Sequence, residues 1–229
     1  MESMVLTPRL ACIAALVPQG ARLADIGTDH GKLPLHLLLG GRIASAIGSD
    51  IGRGPLDHAA RNAAEHGVSL SLRLAPGLEA VRPEECDTVS IAGMGGQTIA
   101  DILAAAPWTA QGGHLLLLQP MTMVYELRQW LWAHGYTIER ETLCREGRRR
   151  YVVLSARGGG EKRALPLTEC AFSPALLAAE GAADYLHGLL TREKRALAGM
   201  EQARTQAQDA HAAQRALVQR IEQALEGLQ

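Results

Sequence analysis

The stretch LADIGTDHGKLP, residues 23–34, decides the fold of this chain. Its apolar start is typical of a buried strand, and Gly27 follows where the chain must turn at little steric cost. Gly31 then opens a helix, so backbone N–H groups and a helix N-terminus face a ligand. A dinucleotide loop would read G-x-G-x-x-G, whereas Asp29 and His30 occupy this turn and the spacing differs. The acid disfavours a pyrophosphate and favours a ligand with a positive centre.

Strands and helices alternate on both sides of this loop. The patterns predict helices at 8–17, 33–39, 54–66, 99–105 and 123–134, and strands at 22–26, 42–50, 69–75, 86–93 and 114–119. A hairpin of strands 136–144 and 149–157 ends the series instead of another crossover. We therefore predict an α/β fold with a Rossmann-like, mostly parallel sheet and an antiparallel last strand, the architecture of class I methyltransferases.

The chain changes character after residue 157. A glycine-rich, charged segment leads into a region beyond Ser173 that is helical throughout. We expect a helical hairpin or coiled coil, with a turn at 204–210 and Asp209 as an N-cap; one continuous helix is the alternative. The predicted division is a methyltransferase domain at 1–157, a linker at 158–172 and a helical domain at 173–229.

Bulk composition excludes several classes of protein. A net charge of −1 gives no global electrostatic attraction for nucleic acid, so any basic surface must be local. The four cysteines are scattered without a C-x-x-C pair, which disfavours zinc or disulfides and fits buried free thiols in a cytoplasmic protein. No apolar run is long enough for a signal peptide or a membrane span, so we do not expect binding to a membrane. The cysteine spacing likewise leads us to expect no metal site.

Two further strand ends carry candidate binding residues. Asp50 ends the second strand, where an acid can accept hydrogen bonds from ribose hydroxyls. SIAGMGGQTI, residues 90–99, places three glycines around Met94, which could contact a flat base by dispersion. Glycines at a strand's carboxyl end let backbone groups line a crevice where ligands of open α/β sheets bind.

S-adenosylmethionine suits this arrangement better than NAD does. Its sulfonium and its ammonium group are positive, so an acid-rich loop attracts it. The predicted cofactor-binding residues are Asp25, Gly27, Thr28, Gly31, Asp50, Ile51, Pro76, Gly77, Ala92, Gly93 and Gly95.

Five segments in order carry a family resemblance: LADIGTDHGKLP, SDIGRGPLDHAARNA, DTVSIAGMGGQTIADIL, LLLLQP and LRQWLWAHGYTIERE. They resemble the bacterial tRNA (adenine-22)-N1-methyltransferases over about residues 8–157, and the tail is similar to that family's coiled-coil domain. The resemblance implies S-adenosylmethionine as methyl donor and tRNA as substrate. The chain departs from the family's pattern at Pro76, which offers no side-chain hydrogen bond to adenine, and at Met121, where Asn is typical.

The chemistry implied by this resemblance needs positioning more than a strong base, because N1 of an unpaired adenine is already nucleophilic. A carboxylate nearby would stabilise the charge that develops on the ring or accept an N6 proton. Asp29 is the best-placed candidate, and His30 and Met94 complete the predicted catalytic set. The base lies inside folded tRNA, so we expect it to be unstacked or flipped.

A local basic surface is expected to contact the RNA backbone. The predicted residues are Arg53, Arg145, Arg148, Arg149 and Arg150, with Arg140, Arg192, Lys194 and Arg195 as further candidates. With a single Phe, four Tyr and three Trp, an aromatic stacking platform is disfavoured and recognition of tRNA shape is favoured.

Two other classes of function stay open. One is a methyltransferase of the same fold acting on a small molecule or another RNA. The other is a non-catalytic binding protein that retained the fold, which the departures at Pro76 and Met121 keep open. For the assembly we expect a monomer or a weak dimer.

Overall fold

A seven-stranded sheet organises the molecule, which a computed structural model describes over residues 5–147, 149–202 and 208–228. The strands are β1 (Ala21–Ile26), β2 (Ile43–Asp50), β3 (Ser71–Leu74), β4 (Thr88–Gly95), β5 (Leu115–Thr122), β6 (Thr137–Glu146) and β7 (Arg149–Arg157). Their order is β3-β2-β1-β4-β5-β7-β6. The first five strands are parallel, and β7 is antiparallel to both β5 and β6. The predicted Rossmann-like class I architecture is confirmed.

Helices cover both faces of this sheet. They are α1 (Pro8–Leu16), α2 (Lys32–Leu39), α3 (Arg53–Glu65), α4 (Gly96–Ala104) and α5 (Val124–Ala133). Thr7 caps α1, with its hydroxyl accepting a hydrogen bond from the backbone of Leu10, and Pro8 fits the first turn. Residues of α1 and α2 pack with Leu23, Leu117 and Val153 on one face, whereas α4 and α5 pack on the other.

Two strands run further than the sequence predicts. The fourth strand was expected to end at Gly93, but β4 continues through a bulge to Gly95, and α4 begins at the next residue. Likewise β5 continues past Gln119 to Thr122. Two residues beyond the bulge at Gly93 still pair with β5, because Met94 lies opposite Pro120 and Gly95 opposite Thr122. The bulge leaves the carboxyl end of β4 irregular, beside the end of β1.

The C-terminal region contains α6 (Pro174–Leu177), α7 (Ala182–Gln202) and α8 (Gln208–Glu226). Ion pairs Lys194–Glu222 and Arg215–Glu201 show that α7 and α8 run antiparallel, so two helices replace the alternative of one continuous helix. Residues 204–207 of the expected turn lie outside the described residues. Asp209 lies in the first turn of α8, so its prediction as an N-cap is wrong.

The tail packs on the sheet domain through apolar and ionic contacts. An apolar cluster joins the two helices to the segment before them, with members Ala171, Phe172, Leu176, Leu186, Leu189, Leu217, Ile221 and Leu225. Beside it, Arg128 and Glu141 form a fully buried ion pair, 2.7 Å between Nη2 and Oε2. Where one domain ends and the next begins stays a prediction.

Three smaller expectations can be compared with the described part of the chain. None of its helices is long and apolar enough to cross a membrane. Its His, Cys, Asp and Glu side chains form no group of three or more that could hold a metal ion. All four cysteines are free, but only Cys86 and Cys170 are buried, whereas Cys12 and Cys144 are half-buried.

Candidate functional site

The candidate site lies where the parallel strands end. β1 lies between β2 and β4 in the sheet. After β1 the chain adds β2 and β3 on one side, and it then crosses to the other side of β1 to add β4 and β5. Ligands of open α/β sheets bind at such a reversal of strand order, outside the carboxyl ends. The loops that follow β1, β2 and β4 carry the residues that the sequence singled out.

The loop after β1 adopts a conformation that its sequence explains. Gly27, Asp29 and Gly31 have φ angles of 69°, 52° and 70°, in the left-handed region. Glycine enters this region freely, and among other residues Asp and Asn tolerate it best. A Cβ on Gly27 would collide with Cε of Met94, so Met94 packs directly over the turn. The predicted catalytic Met94 is half-buried against the core beneath the sheet edge.

Asp25 is a buried acid below this loop. Its side chain is 5% exposed, and its Oδ2 accepts a hydrogen bond of 2.8 Å from the hydroxyl of the buried Thr28. Burial raises the pKa of Asp25 to about 6, against the ordinary 3.8, because the carboxylate has lost water. A carboxylate held in this way favours a cationic ligand, which would restore the lost stabilisation.

Asp50 ties two loops together at the end of β2. Its Oδ1 accepts a hydrogen bond from the backbone N–H of Gly52 at 2.8 Å, and its Oδ2 accepts one from Asp29 at 3.3 Å. A carboxylate has about four acceptor positions, so room for further donors remains. The next residue, Ile51, is 78% exposed, an apolar side chain presented to solvent beside the acid.

The loop after β3 lies beside Asp50. The buried hydroxyl of Ser49 donates to the carbonyl oxygen of Gly77 at 3.1 Å, which holds this loop against β2. Gly77 has a φ of 55°, and a Cβ there would press on Ile102. Pro76 is exposed. These contacts hold the loop that contains Pro76 and Gly77 at the same edge of the sheet as Asp50.

The end of β4 completes this edge of the sheet. Gly93, with a φ of 78°, donates its backbone N–H to Oε1 of Gln119 at 3.1 Å. Ala92 precedes it, and Gly95 caps α4. The structure therefore brings the glycine-rich segment of β4 next to the loop after β1.

A cavity of about 230 Å³ opens between these loops. Five of its lining residues come from the loop after β1 or from α2, one comes from β1, and the rest come from α1 and β4: Arg9, Leu10, Asp25, Gly27, Thr28, Asp29, Lys32, Leu33, Ala92 and Gly93. Sequence reasoning missed Arg9 and Lys32. Arg9 reaches the cavity through a contact with Gln119, 110 residues away, and no local signal announces it.

Asp29 and His30 lie at the outer rim. The Asp29 side chain is 65% exposed and the His30 side chain 40% exposed, with 3.4 Å between Nε2 of His30 and Oδ1 of Asp29. The His30 ring also packs at 4.7 Å from the ring of His58. The carboxylate is thus accessible to a second molecule that approaches the cavity, while its backbone is fixed by Asp50.

The predicted basic residues fall into two groups. Arg53 begins α3, two residues beyond Ile51, whereas Arg145 and Arg149 flank the turn between β6 and β7. Arg148 lies outside the described residues. Arg150 forms a bidentate ion pair with Asp184 of α7, with both N–O distances 2.6 Å. The charge of Arg150 is therefore already neutralised by the tail.

Comparisons with known proteins agree with this geometry. A family model described as "Methyltransferase domain" matches residues 6–154. A Bacillus subtilis tRNA (adenine(22)-N(1))-methyltransferase is 37% identical over 161 residues, which are 69% of this chain and 68% of that protein.

Solved structures are similar over nearly the whole chain. The B. subtilis M1A22 tRNA methyltransferase TrmK is 28% identical with a TM-score of 0.81, covering 98% of this chain and 99% of that one. A Streptococcus pneumoniae protein in complex with S-adenosyl-L-methionine is 30% identical with a TM-score of 0.81, covering 96% and 100% of the two chains. The chain therefore belongs to the family of tRNA (adenine(22)-N(1))-methyltransferases.

Proposed function

We propose that this protein is an S-adenosylmethionine-dependent methyltransferase that acts on N1 of adenine 22 in tRNA. The observation that carries the proposal is the cavity at the central strand ends, where the buried Asp25 faces the space beside Gly27 and Gly93. The B. subtilis relative, 37% identical, bears this activity in its name. Membership of the family and the position of the cavity point to the same chemistry.

The residues of the cavity fit S-adenosylmethionine. The cofactor supplies a methyl group activated by a positively charged sulfur. Asp25 and the loop through Gly27, Thr28 and Gly31 would hold its cationic part, because the buried carboxylate favours a positive partner. Asp50 retains acceptor positions for ribose hydroxyls, and the exposed Ile51 offers an apolar surface to the adenine ring.

The remaining predicted cofactor residues line the same edge. Pro76 and Gly77 lie on the loop tied to Ser49, and Ala92, Gly93 and Gly95 lie on β4. Pro76 offers no polar side chain, so a hydrogen bond to adenine from this position must come from the backbone. The departure from the family pattern at this position is therefore compatible with cofactor binding.

Asp29 is the residue we assign to catalysis. Its carboxylate is exposed at the rim, while its backbone N–H is held by Asp50. A fixed negative charge beside the reacting base stabilises the positive charge that methylation places on the adenine ring. Nε2 of His30 lies 3.4 Å from Oδ1 of Asp29, so His30 orients the Asp29 carboxylate or helps it to stabilise the charge on the adenine ring. Met94 packs against Gly27 and supports the turn that carries both residues.

The RNA would approach across exposed arginines. Arg53 stands beside the cofactor loops, and Arg145 and Arg149 stand at the hairpin turn, with Arg148 assigned from the sequence alone. Arg150 contributes less, because its guanidinium is paired with Asp184. Exposed Met121 and Met123 at the end of β5 offer apolar contact to an unstacked base.

We assign this activity to a cytoplasmic protein that works as a monomer or weak dimer.

Methyl transfer from tritiated S-adenosylmethionine to unmodified tRNA tests the proposal. Label should enter a tRNA with adenine at position 22 and be absent from the same tRNA with guanine there. The Asp29→Asn variant keeps the left-handed backbone that Asn tolerates, so only the charge is lost. Turnover should fall by about 10²-fold, with a far smaller change in S-adenosylhomocysteine affinity.

Asp57→Asn is the matched control, because it removes an acid from an exposed position of the neighbouring helix α3. Its turnover should equal that of the wild type. Equal labelling of the two tRNAs would refute the assignment of the target base. An unchanged rate in Asp29→Asn would remove Asp29 from catalysis while leaving the methyltransferase activity standing.

A further inference from the structure

Arg9 is a charged side chain that leaves its own helix to reach the centre of the sheet. It belongs to the first turn of α1, and its side chain is only 20% exposed. Its Nη1 donates a hydrogen bond of 2.8 Å to Oε1 of Gln119 at the end of β5, and its Nε lies 3.9 Å from Glu146 of β6. The guanidinium therefore lies over the strand ends, as part of the wall of the cavity.

Gln119 holds this guanidinium in one position. Its side chain is fully buried, and its Oε1 accepts from both Arg9 and the backbone N–H of Gly93. Its Nε2 donates to the carbonyl oxygen of Pro120 at 2.9 Å, which fixes the orientation of the amide. A buried amide with both ends engaged has one orientation only, so Gln119 sets the location of Arg9 relative to Gly93.

One edge of the Arg9 guanidinium stays available to a ligand. Among the described residues, Nη2 has no hydrogen-bond partner. A Cβ built on Gly93 would lie 3.5 Å from Nη1 and 3.9 Å from Nη2, in van der Waals contact with this edge, and the φ of 78° at this position favours glycine, which leaves the edge uncovered. Arginine presents paired donors in a plane that matches a carboxylate.

The opposite charge lines the same cavity. Asp25 is buried there, with its pKa raised to about 6 by burial, so it gains most from a cationic partner. A cavity with a buried carboxylate and a held guanidinium is complementary to a zwitterion, the form of an α-amino acid at neutral pH. S-adenosylmethionine ends in such a group, and so does its product S-adenosylhomocysteine.

We propose that Arg9 binds the carboxylate of the amino-acid portion of the cofactor, and that Gln119 is the positioning residue that holds Arg9 in place. The inference rests on the proposed function, because it assumes that this cavity receives the cofactor. It assigns a role to α1, which lies outside the loops that the sequence singled out. Lys32 lines the same cavity but lies on its exposed side, at the start of α2.

Equilibrium titration calorimetry with two ligands tests the proposal. S-adenosylhomocysteine carries the amino-acid group, whereas 5′-methylthioadenosine shares its adenosine and sulfur but lacks that group. Arg9→Gln should weaken S-adenosylhomocysteine binding by about 10- to 100-fold, as expected for a lost hydrogen bond between charged groups. Binding of 5′-methylthioadenosine should change little. Gln119→Leu should show the same selectivity, and Arg9→Lys should recover part of the loss.

Lys32→Gln is the control, because it removes one positive charge from the same cavity without touching Gln119. It should leave the ratio of the two affinities unchanged. Equal weakening of both ligands by Arg9→Gln would overturn the proposal, since a structural role alone has that result. Selective loss in Lys32→Gln but not in Arg9→Gln would assign the carboxylate to Lys32 and also overturn it. Failure of the wild type to bind S-adenosylhomocysteine would instead reject the proposed function.

Discussion

The strand ends around Asp25 and the contact between the hairpin and the tail both bury charge, but with opposite results. At the strand ends, Asp25 accepts a hydrogen bond of 2.8 Å from the Thr28 hydroxyl but forms no ion pair among the described residues, and burial raises its pKa to about 6. At the hairpin, Glu141 meets the fully buried Arg128 at 2.7 Å and also accepts a hydrogen bond of 2.6 Å from the Ser173 hydroxyl.

The difference separates a binding site from a structural contact. A buried acid without a cation costs stability, and such a cost is common where a ligand later supplies the missing partner. The loop that follows Asp25 also carries a cost in stability, because Asp29 has a positive φ of 52°, a conformation that few residues other than glycine adopt. A buried acid with all its partners in place holds two parts of a chain together and has nothing left to offer a ligand.

The largest expected effect is at the hairpin. Arg128→Ala should lower the free energy of unfolding by about 3–5 kcal/mol, because it leaves Glu141 buried without its cation. The variant also loses the hydrogen bonds from Nη1 to the carbonyl oxygens of Cys170 and Ala171, which hold the segment before the tail. Urea denaturation followed by circular dichroism measures the change.

The double variant Arg128→Met with Glu141→Leu isolates the cause. It removes both charges while keeping similar volume, so the part of the loss that comes from the unpaired charge should return, whereas the hydrogen bonds to the carbonyl oxygens of Cys170 and Ala171 stay lost. A loss in Arg128→Ala of under about 1 kcal/mol would mean that the pair is not buried in solution, and the contrast with Asp25 would disappear.

A smaller effect of opposite sign is expected at the strand ends. Asp25→Asn should raise the free energy of unfolding at pH 7.5 by about 2 kcal/mol, because it removes a carboxylate that burial disfavours. The Asn side-chain oxygen can still accept the hydrogen bond from Thr28. The same change should weaken S-adenosylhomocysteine binding, so stability and affinity move in opposite directions.

The effect of Asp25→Asn on stability should depend on pH. The pKa of Asp25 is raised on folding from 3.8 to about 6, so the folded wild type binds the proton more tightly than the unfolded chain. The advantage of Asp25→Asn is therefore complete above pH 6 and shrinks as the pH falls toward 3.8. Unfolding curves at pH 7.5 and pH 5 test this. An advantage that grew toward pH 5 would show that the carboxylate is not destabilised in the native state.

The parts of the site that sequence predicts are those built from neighbouring residues. Gly27, Asp29 and Gly31 follow one strand, and Asp50 ends the next, so turn chemistry and strand order place them on one edge. The fold follows for the same reason, since alternating helices and strands are a local pattern. The bulge at Gly93, which extends β4 to Gly95, depends on pairing with β5 and was missed.

The contacts that sequence does not predict join residues far apart in the chain. Arg9 of α1 meets Gln119 of β5, and Arg150 of β7 meets Asp184 of α7, only because the fold brings these elements together. A run of arginines at 148–150 is typical of a phosphate-binding surface, yet Arg150 is turned toward α7. The type of a charged residue indicates what it can bind, but its partner in the fold decides whether it is available.

The smallest expected effect tests that last pair. The Arg150–Asp184 pair is short, but the Asp184 side chain is 60% exposed, so solvent screens it. Asp184→Ala should lower Tm by about 1–2 °C in low salt and by nothing measurable in 1 M NaCl, whereas Asp57→Ala, which removes an exposed acid of α3 that lies beyond its first turn, should leave Tm unchanged. The Arg150 hydrogen bonds lower the pKa of Asp184, so this contribution exists above pH 3.8 and is lost as pH falls through the lower folded value. A large, salt-independent loss would instead place Arg150 with Arg128 among the arginines that hold the tail.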